Sequence, residues 1–225
     1  MAARLLALFL ALMSLGQGTL TQYEEEMSLG GTLFLVNRDF VLASDYKPED
    51  LVVPDVRLTY PDTTMRAEAA GALEEMFAAA KEEAGHTLIG VSGFRSYGQQ
   101  ASIYERKIKN AGKKQAMLLV APPGASEHQL GLAMDLGTPQ NQKLNQAFGD
   151  TQAGAWVREN CHRFGFIIRY KEEWTDITGY ADEPWHVRYV GKEHAQRIFE
   201  MNIPLEYYID TLRQVQYDGL TEQKR

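Results

Sequence analysis

A single cysteine, Cys161, in 225 residues excludes an intramolecular disulfide, so stability has to come from the core and any bound metal. The chain also lacks long runs of one charge. Its 23 basic side chains are scattered among 30 acidic ones, which leaves no basic stripe as a footprint for nucleic acid. No apolar run reaches the roughly 20 residues that a bilayer-spanning helix needs. Internal repeats and low-complexity tracts are absent, and with them any sign of a repeat architecture. What remains is a chain with 44% hydrophobic residues, enough to bury one sizeable core in one domain.

At the N-terminus Arg4 precedes an apolar run from Leu5 to about Leu15, with small residues at Ser14, Gly16 and Gly18. That is the layout of a secretory signal peptide. The expectation is an exported, extracytoplasmic protein, in the cell wall or secreted, with residues 1–18 as the signal and an uncleaved anchor as the alternative. Residues 19–57 read as a polar surface linker followed by an irregular collar, in which LFLV and LVVP are strand-like. The main domain is expected over 58–216 and a polar tail over 217–225.

Within that domain, Met65, Ala69, Leu73, Met76, Phe77 and Ala80 recur at helical spacing, which predicts a core helix over 64–84 stopped by Gly85. The aliphatic run TLIGVSGF predicts a buried strand that delivers Arg95 at its end. A helix over 99–111 is stopped by Gly112, and a shorter helix precedes Ala121. Further strands are expected at LAMDL, FGFIIRY and WHVRYV, and further helices over 151–164, 192–201 and 204–214. The pattern Ala153, Trp156, Val157, Cys161, Phe164 puts the lone cysteine on an apolar face, as a core residue rather than a thiol nucleophile. His86, His162 and His194 read as solvated imidazoles. The mixture predicts an α+β fold, with helices packed on a small, mainly antiparallel sheet.

Three segments combine ionisable side chains with glycine beside a strand: SGFRSYGQQ, SEHQLGLAMDLG and DEPWHVRYV. In the second, His128 and Asp135 are both possible zinc ligands, and Gly131 lets the chain turn before the strand begins. Asp135 sits in an aliphatic strand and needs a partner for its charge. In the third, Glu183 and His186 are three apart, so a regular strand would send them to opposite faces; Pro184 offers a bend. A catalytic zinc keeps three protein ligands and a water whose proton a nearby base removes. His128, Asp135 and His186 with Glu183 fill those roles once each. Arg95 presents the paired donors that match a substrate carboxylate, although from the residues alone a surface or intramolecular salt bridge is its favoured role. Gln100 and Ser126 add neutral hydrogen-bonding groups, and Trp185 serves as a pocket wall or as packing.

These residues resemble the zinc D-alanyl-D-alanine carboxypeptidases of the VanY type and their L,D-carboxypeptidase relatives. The resemblance rests on SGFRSYGQQ, on S-x-H-x-x-G-x-A-x-D read as Ser126, His128, Gly131, Ala133 and Asp135, and on E-P-W-H from Glu183 to His186. PPGASEH, FGFIIRY, TGY and VRYVG accompany them from about Gly90 onward. It implies an α+β, Hedgehog/DD-peptidase-like fold: a small antiparallel sheet flanked by helices. It implies one Zn2+ per chain held by His128, Asp135 and His186, with Glu183 as general base; in the mechanism expected from it, Arg95 helps the metal stabilise the oxyanion. Arg95, Gln100 and Ser126 become substrate contacts. The implied substrate is a peptidoglycan stem peptide ending in D-alanine, with D,D-cleavage favoured over L,D-cleavage. A non-catalytic wall-binding module is the alternative from another class. The chain is expected to be a monomer without a stable protein partner.

Overall fold

A computed structural model describes residues 23–222; the expected signal segment, 1–18, lies outside them. The first ladder is short and antiparallel, β1 (Leu51–Val52) against β2 (Met65–Arg66). It takes the residues that helical periodicity had assigned to the start of the next helix. That helix, α1 (Ala67–Ala84), buries Ala69, Leu73, Met76 and Ala80. It ends at Gly85 with φ 71°, whose N–H bonds the Lys81 carbonyl while that of His86 bonds Ala80, a C-terminal lock that needs the left-handed conformation glycine adopts freely.

The central sheet contains β3 (Ile89–Ser92), β4 (Ala133–Gly137), β5 (Phe166–Ile168) and β6 (His186–Tyr189), in the order β3-β4-β6-β5, with every pairing antiparallel. This is the α+β architecture expected. Between β3 and β4 lies α2 (Tyr97–Leu119), which starts on a capping box: Ser96 and Gln99 each bond the other's backbone N–H. Its ladder is interrupted at Gly112 (φ 78°, ψ 159°), so the expected stop survives as a kink. α3 (Gln152–Asn160) and a 3-10 turn over Cys161–Phe164 feed β5, and the short α4 (Thr175–Thr178) precedes β6. α5 (Lys192–Met201) and α6 (Leu205–Glu222) close the chain. α6 continues into the segment expected to be a polar tail, because nothing there except Gly219 opposes a helix, at about 1 kcal/mol. Among the described residues no helix is long and apolar enough to cross a membrane.

The apolar side chains form two clusters. One joins α1, β4, β6 and α3 around Leu73, Met76, Met134, Phe148 and Val187. The other joins α5 and α6 to Tyr23, Leu33 and Leu35. The latter corrects the surface-linker reading: residues 23–27 are helical and Tyr23 is buried. LFLV is not a strand either. Leu33, Leu35 and Val36 are buried and Phe34 is half-buried, but the Thr32 and Phe34 carbonyls accept from Nη2 of Arg188, at 2.8 and 3.0 Å, in place of a neighbouring strand.

Cys161 is buried in the first cluster, where burial pushes its thiol up to about 12. Two histidine readings need correction. His162 is buried and stacks on Phe199 at 3.7 Å between centroids. His194 is buried between Tyr208 Oη (2.7 Å) and Glu26 Oε2 (2.8 Å). Helical spacing put His162 on a helix flank and His194 on a polar face; neighbouring elements cover both.

Candidate active site

β3 ends at Ser92, and at Gly93 the chain passes so close to Thr64 that an added Cβ would lie 2.3 Å from its carbonyl oxygen. The next residues carry Arg95 into the site, and its backbone N–H bonds the His128 carbonyl. His128 lies in a 3-10 turn, Glu127–Leu130, closed by Gly131 at φ 70°, which sends the chain straight into β4. Asp135 on β4 and His186 on β6 are a directly opposed pair. The bend inferred at Pro184 is a tight turn, with the His186 N–H bonded to the Glu183 carbonyl at 3.0 Å.

His128, Asp135 and His186 are all buried, and each offers one donor atom such that the three lie within 4.8 Å of one another. His186 Nδ1 is 2.9 Å from Asp135 Oδ1, and His128 Nε2 is 3.2 Å from Asp135 Oδ2. The other nitrogen of each ring is already engaged. His128 Nδ1 lies 2.7 Å from the Gly93 carbonyl oxygen and must donate to it. That leaves Nε2 as a lone pair directed at a carboxylate, and it is a buried atom without a hydrogen-bond partner. Two lone-pair donors need a cation between them. Two imidazole nitrogens and one carboxylate oxygen suit zinc.

Electrostatics agree with that reading. Burial, reinforced by Arg95, lowers His128 to about 4, which keeps it in the neutral form a metal ligand requires. Burial alone would depress His186 too, but hydrogen bonds with Asp135 and Glu127 outweigh it and push the imidazole up to about 9. Burial works against the Asp135 carboxylate, yet His128 and His186 hold it well below the usual carboxylate range. Burial pushes Glu183 up to about 8 despite the neighbouring His186.

All seven residues singled out in the sequence, Arg95, Gln100, Ser126, His128, Asp135, Glu183 and His186, line one cavity of about 220 Å³. Among the described residues the Arg95 guanidinium pairs with Asp135 Oδ2 alone, at 3.7 Å, and its Nε is buried without a hydrogen-bond partner. Gln100 donates to the Ala121 carbonyl at 2.7 Å and leaves its buried Oε1 unpaired. Ser126 is buried at the wall. Trp185 does both things expected of it, lining the cavity and joining the core.

The profile described as D-alanyl-D-alanine carboxypeptidase, VanY, matches residues 62–192, a span that contains all seven. The chain belongs to the VanY family. It is 45% identical over 188 residues to YodJ of Bacillus subtilis (strain 168), over 81% of this chain and 68% of that protein. Among solved structures, the LdcB LD-carboxypeptidase superposes with a TM-score of 0.72 at 47% identity, over 77% of this chain and 84% of that one. A mutant of the vancomycin resistance D,D-pentapeptidase VanY in complex with Zn(II) gives 0.68 at 34% identity, over 79% and 98%. Members of this VanY family are peptidases.

One residue at the centre escaped the sequence reading. Glu127 is 1% exposed and touches His186 Nε2, Arg169 Nε and Arg188 Nη1, at 3.2, 2.8 and 2.9 Å. Its signal was present: arginines in the apolar strands FIIRY and HVRYV require a buried counter-charge.

Proposed function

We propose that this protein is an exported, monomeric zinc carboxypeptidase that removes the terminal D-alanine from peptidoglycan stem peptides. The observation that carries this reading is the three-donor cluster, with its orphaned His128 Nε2, sharing one cavity with Glu183 and Arg95. The VanY neighbour's Zn(II) supports the choice of metal.

His128, Asp135 and His186 would hold the zinc, which would supply Lewis acidity at the site. The chain's own groups do the rest. Arg95 holds the terminal carboxylate through the donors it leaves free. Gln100 Oε1 accepts from a substrate N–H, and Ser126 offers a hydroxyl at the wall. Glu183 takes the proton from the attacking water as the C–O bond forms, then gives it to the departing amine as the C–N bond breaks. A carboxylate that burial holds at high pKa is suited to carrying that proton between two sites.

The family description supports the pentapeptide stem, hence D,D-cleavage. A second reading, L,D-cleavage of the tetrapeptide, is favoured by the greater identity to LdcB, 47% against 34% for VanY. Incubation of zinc-loaded protein with defined tetrapeptide and pentapeptide stems, with and without chelator, tests both. Free D-alanine is expected from at least one stem and is suppressed by the chelator. Absence of D-alanine from both would overturn the proposal.

A further inference from the structure

Glu127 follows Ser126 and precedes His128, yet its carboxylate reaches a different ligand from the one beside it in sequence. Oε2 lies 3.2 Å from His186 Nε2, while Oε1 accepts from Arg169 Nε at 2.8 Å and Arg188 Nη1 at 2.9 Å. The two arginines are braced in turn. Arg169 forks onto Glu206 of α6 at 2.6 and 3.0 Å, and Arg188 donates to the Thr32 and Phe34 carbonyls. Two buried cations therefore face two anions, Glu127 and Glu206, which balances the charge and leaves Glu127 little freedom to turn.

The His186 ring has two nitrogens, and the one facing Asp135 is Nδ1, at 2.9 Å. Nδ1 can offer a lone pair to a metal only if the ring proton sits on Nε2. A carboxylate has no proton to give, so Nε2 must donate to it. We propose that Glu127 is the positioning residue of the metal centre: pinned by Arg169 and Arg188, it holds the proton of His186 on Nε2 and so presents Nδ1 to the ion. This inference rests on the metal reading of the site.

The arginines make the consequence of Glu127→Gln specific. They need an acceptor, so the amide oxygen turns to them and the NH2 turns to His186. Nε2 is then obliged to accept, and the ring proton moves to Nδ1, where it competes with the ion. Glu206→Gln provides the comparison, since it removes an anion from the same arginine without touching His186.

Zinc affinity of the parent and both variants, measured by chelator competition, tests the inference alongside 15N NMR of the His186 ring in the zinc-loaded parent. Glu127→Gln is expected to weaken zinc binding roughly 10–100-fold, and Glu206→Gln to stay within about twofold of the parent. The zinc-loaded parent should carry the ring proton on Nε2. Equal zinc affinity in Glu127→Gln, or an equal loss in Glu206→Gln, would overturn the inference while leaving the metal site intact. So would a proton on Nδ1 of the zinc-loaded parent, a result that needs no variant to fold. A parent that binds no zinc overturns the metal reading and this inference together.

Discussion

Glu183 and His186 share the cavity only because the chain turns at Pro184–Trp185 before β6 begins, so that a carboxylate on the loop side and a ligand on the strand face the same space. If Glu183 carries the proton, Glu183→Gln should lower kcat about 10²–10⁴-fold while leaving zinc stoichiometry unchanged. Steady-state kinetics alongside metal analysis checks this, and a variant that releases D-alanine at the parent rate excludes the role. Arg95 makes a different kind of contribution, to recognition of a free carboxylate. Arg95→Met should reduce kcat/KM on free-acid stems on the order of tenfold to a hundredfold, and bring it close to that for C-terminally amidated ones. Glu183 was legible as a candidate base from its own chemistry and its place beside a strand; Arg95, for which the residues alone favour a salt bridge, became a candidate substrate contact only through the family resemblance. Glu127 was not legible, because its role depends on Arg169, just past the end of β5, and Arg188 on β6 reaching it from distant parts of the chain. Nor could His194 be read as buried, since it is enclosed by Tyr208 of the next helix and by Glu26 from the far end of the chain.

The elements most readable in the sequence were those whose signal is local. α1 ends where Gly85 says it should, and α5 spans the predicted residues, since apolar spacing and a stop residue suffice. LFLV failed for a non-local reason, the capture of its carbonyls by a guanidinium from β6. α2 combines both cases. Gly112 bends it at φ 78°, ψ 159°, a region that side-chain-bearing residues avoid, and an added Cβ there meets no atom within 4 Å. The cost of Gly112→Ala is therefore backbone strain alone, about 1–3 kcal/mol. The kink also separates Gln100 from Leu119 and Val120, which line the same cavity. Gly112→Ala should accordingly lower the urea midpoint and raise KM for stem peptides together. A variant with unchanged midpoint and KM would show that the bend plays no part in shaping the wall.

Across the molecule, the site joins the sheet to the C-terminal helix through buried charges: Asp135 to His186, His186 to Glu127, Glu127 to Arg169, and Arg169 to Glu206. Such a network ties stability to pH in the metal-free protein. His186 has a folded pKa pushed up to about 9 from an ordinary 6.5, so its contribution is fully present below 6.5 and disappears as pH rises through 9. Glu183, raised from 4.5 to about 8, keeps a proton in the fold that the unfolded chain has already released, and it too loses stability as pH rises. The histidine and the carboxyl thus act in the same direction above pH 6.5. The metal-free protein should show a falling urea midpoint between pH 6.5 and 9. Zinc needs His186 without its ring proton on Nδ1, so a bound ion replaces that proton's stabilising role and adds its own binding free energy to the folded state. The alkaline loss should therefore shrink when zinc is saturating. Chemical denaturation at both pH values, with chelator and with zinc, measures the two effects. Equal metal-free midpoints at pH 6.5 and 9 would mean that His186 and Glu183 titrate as exposed groups do, which is incompatible with an enclosed site.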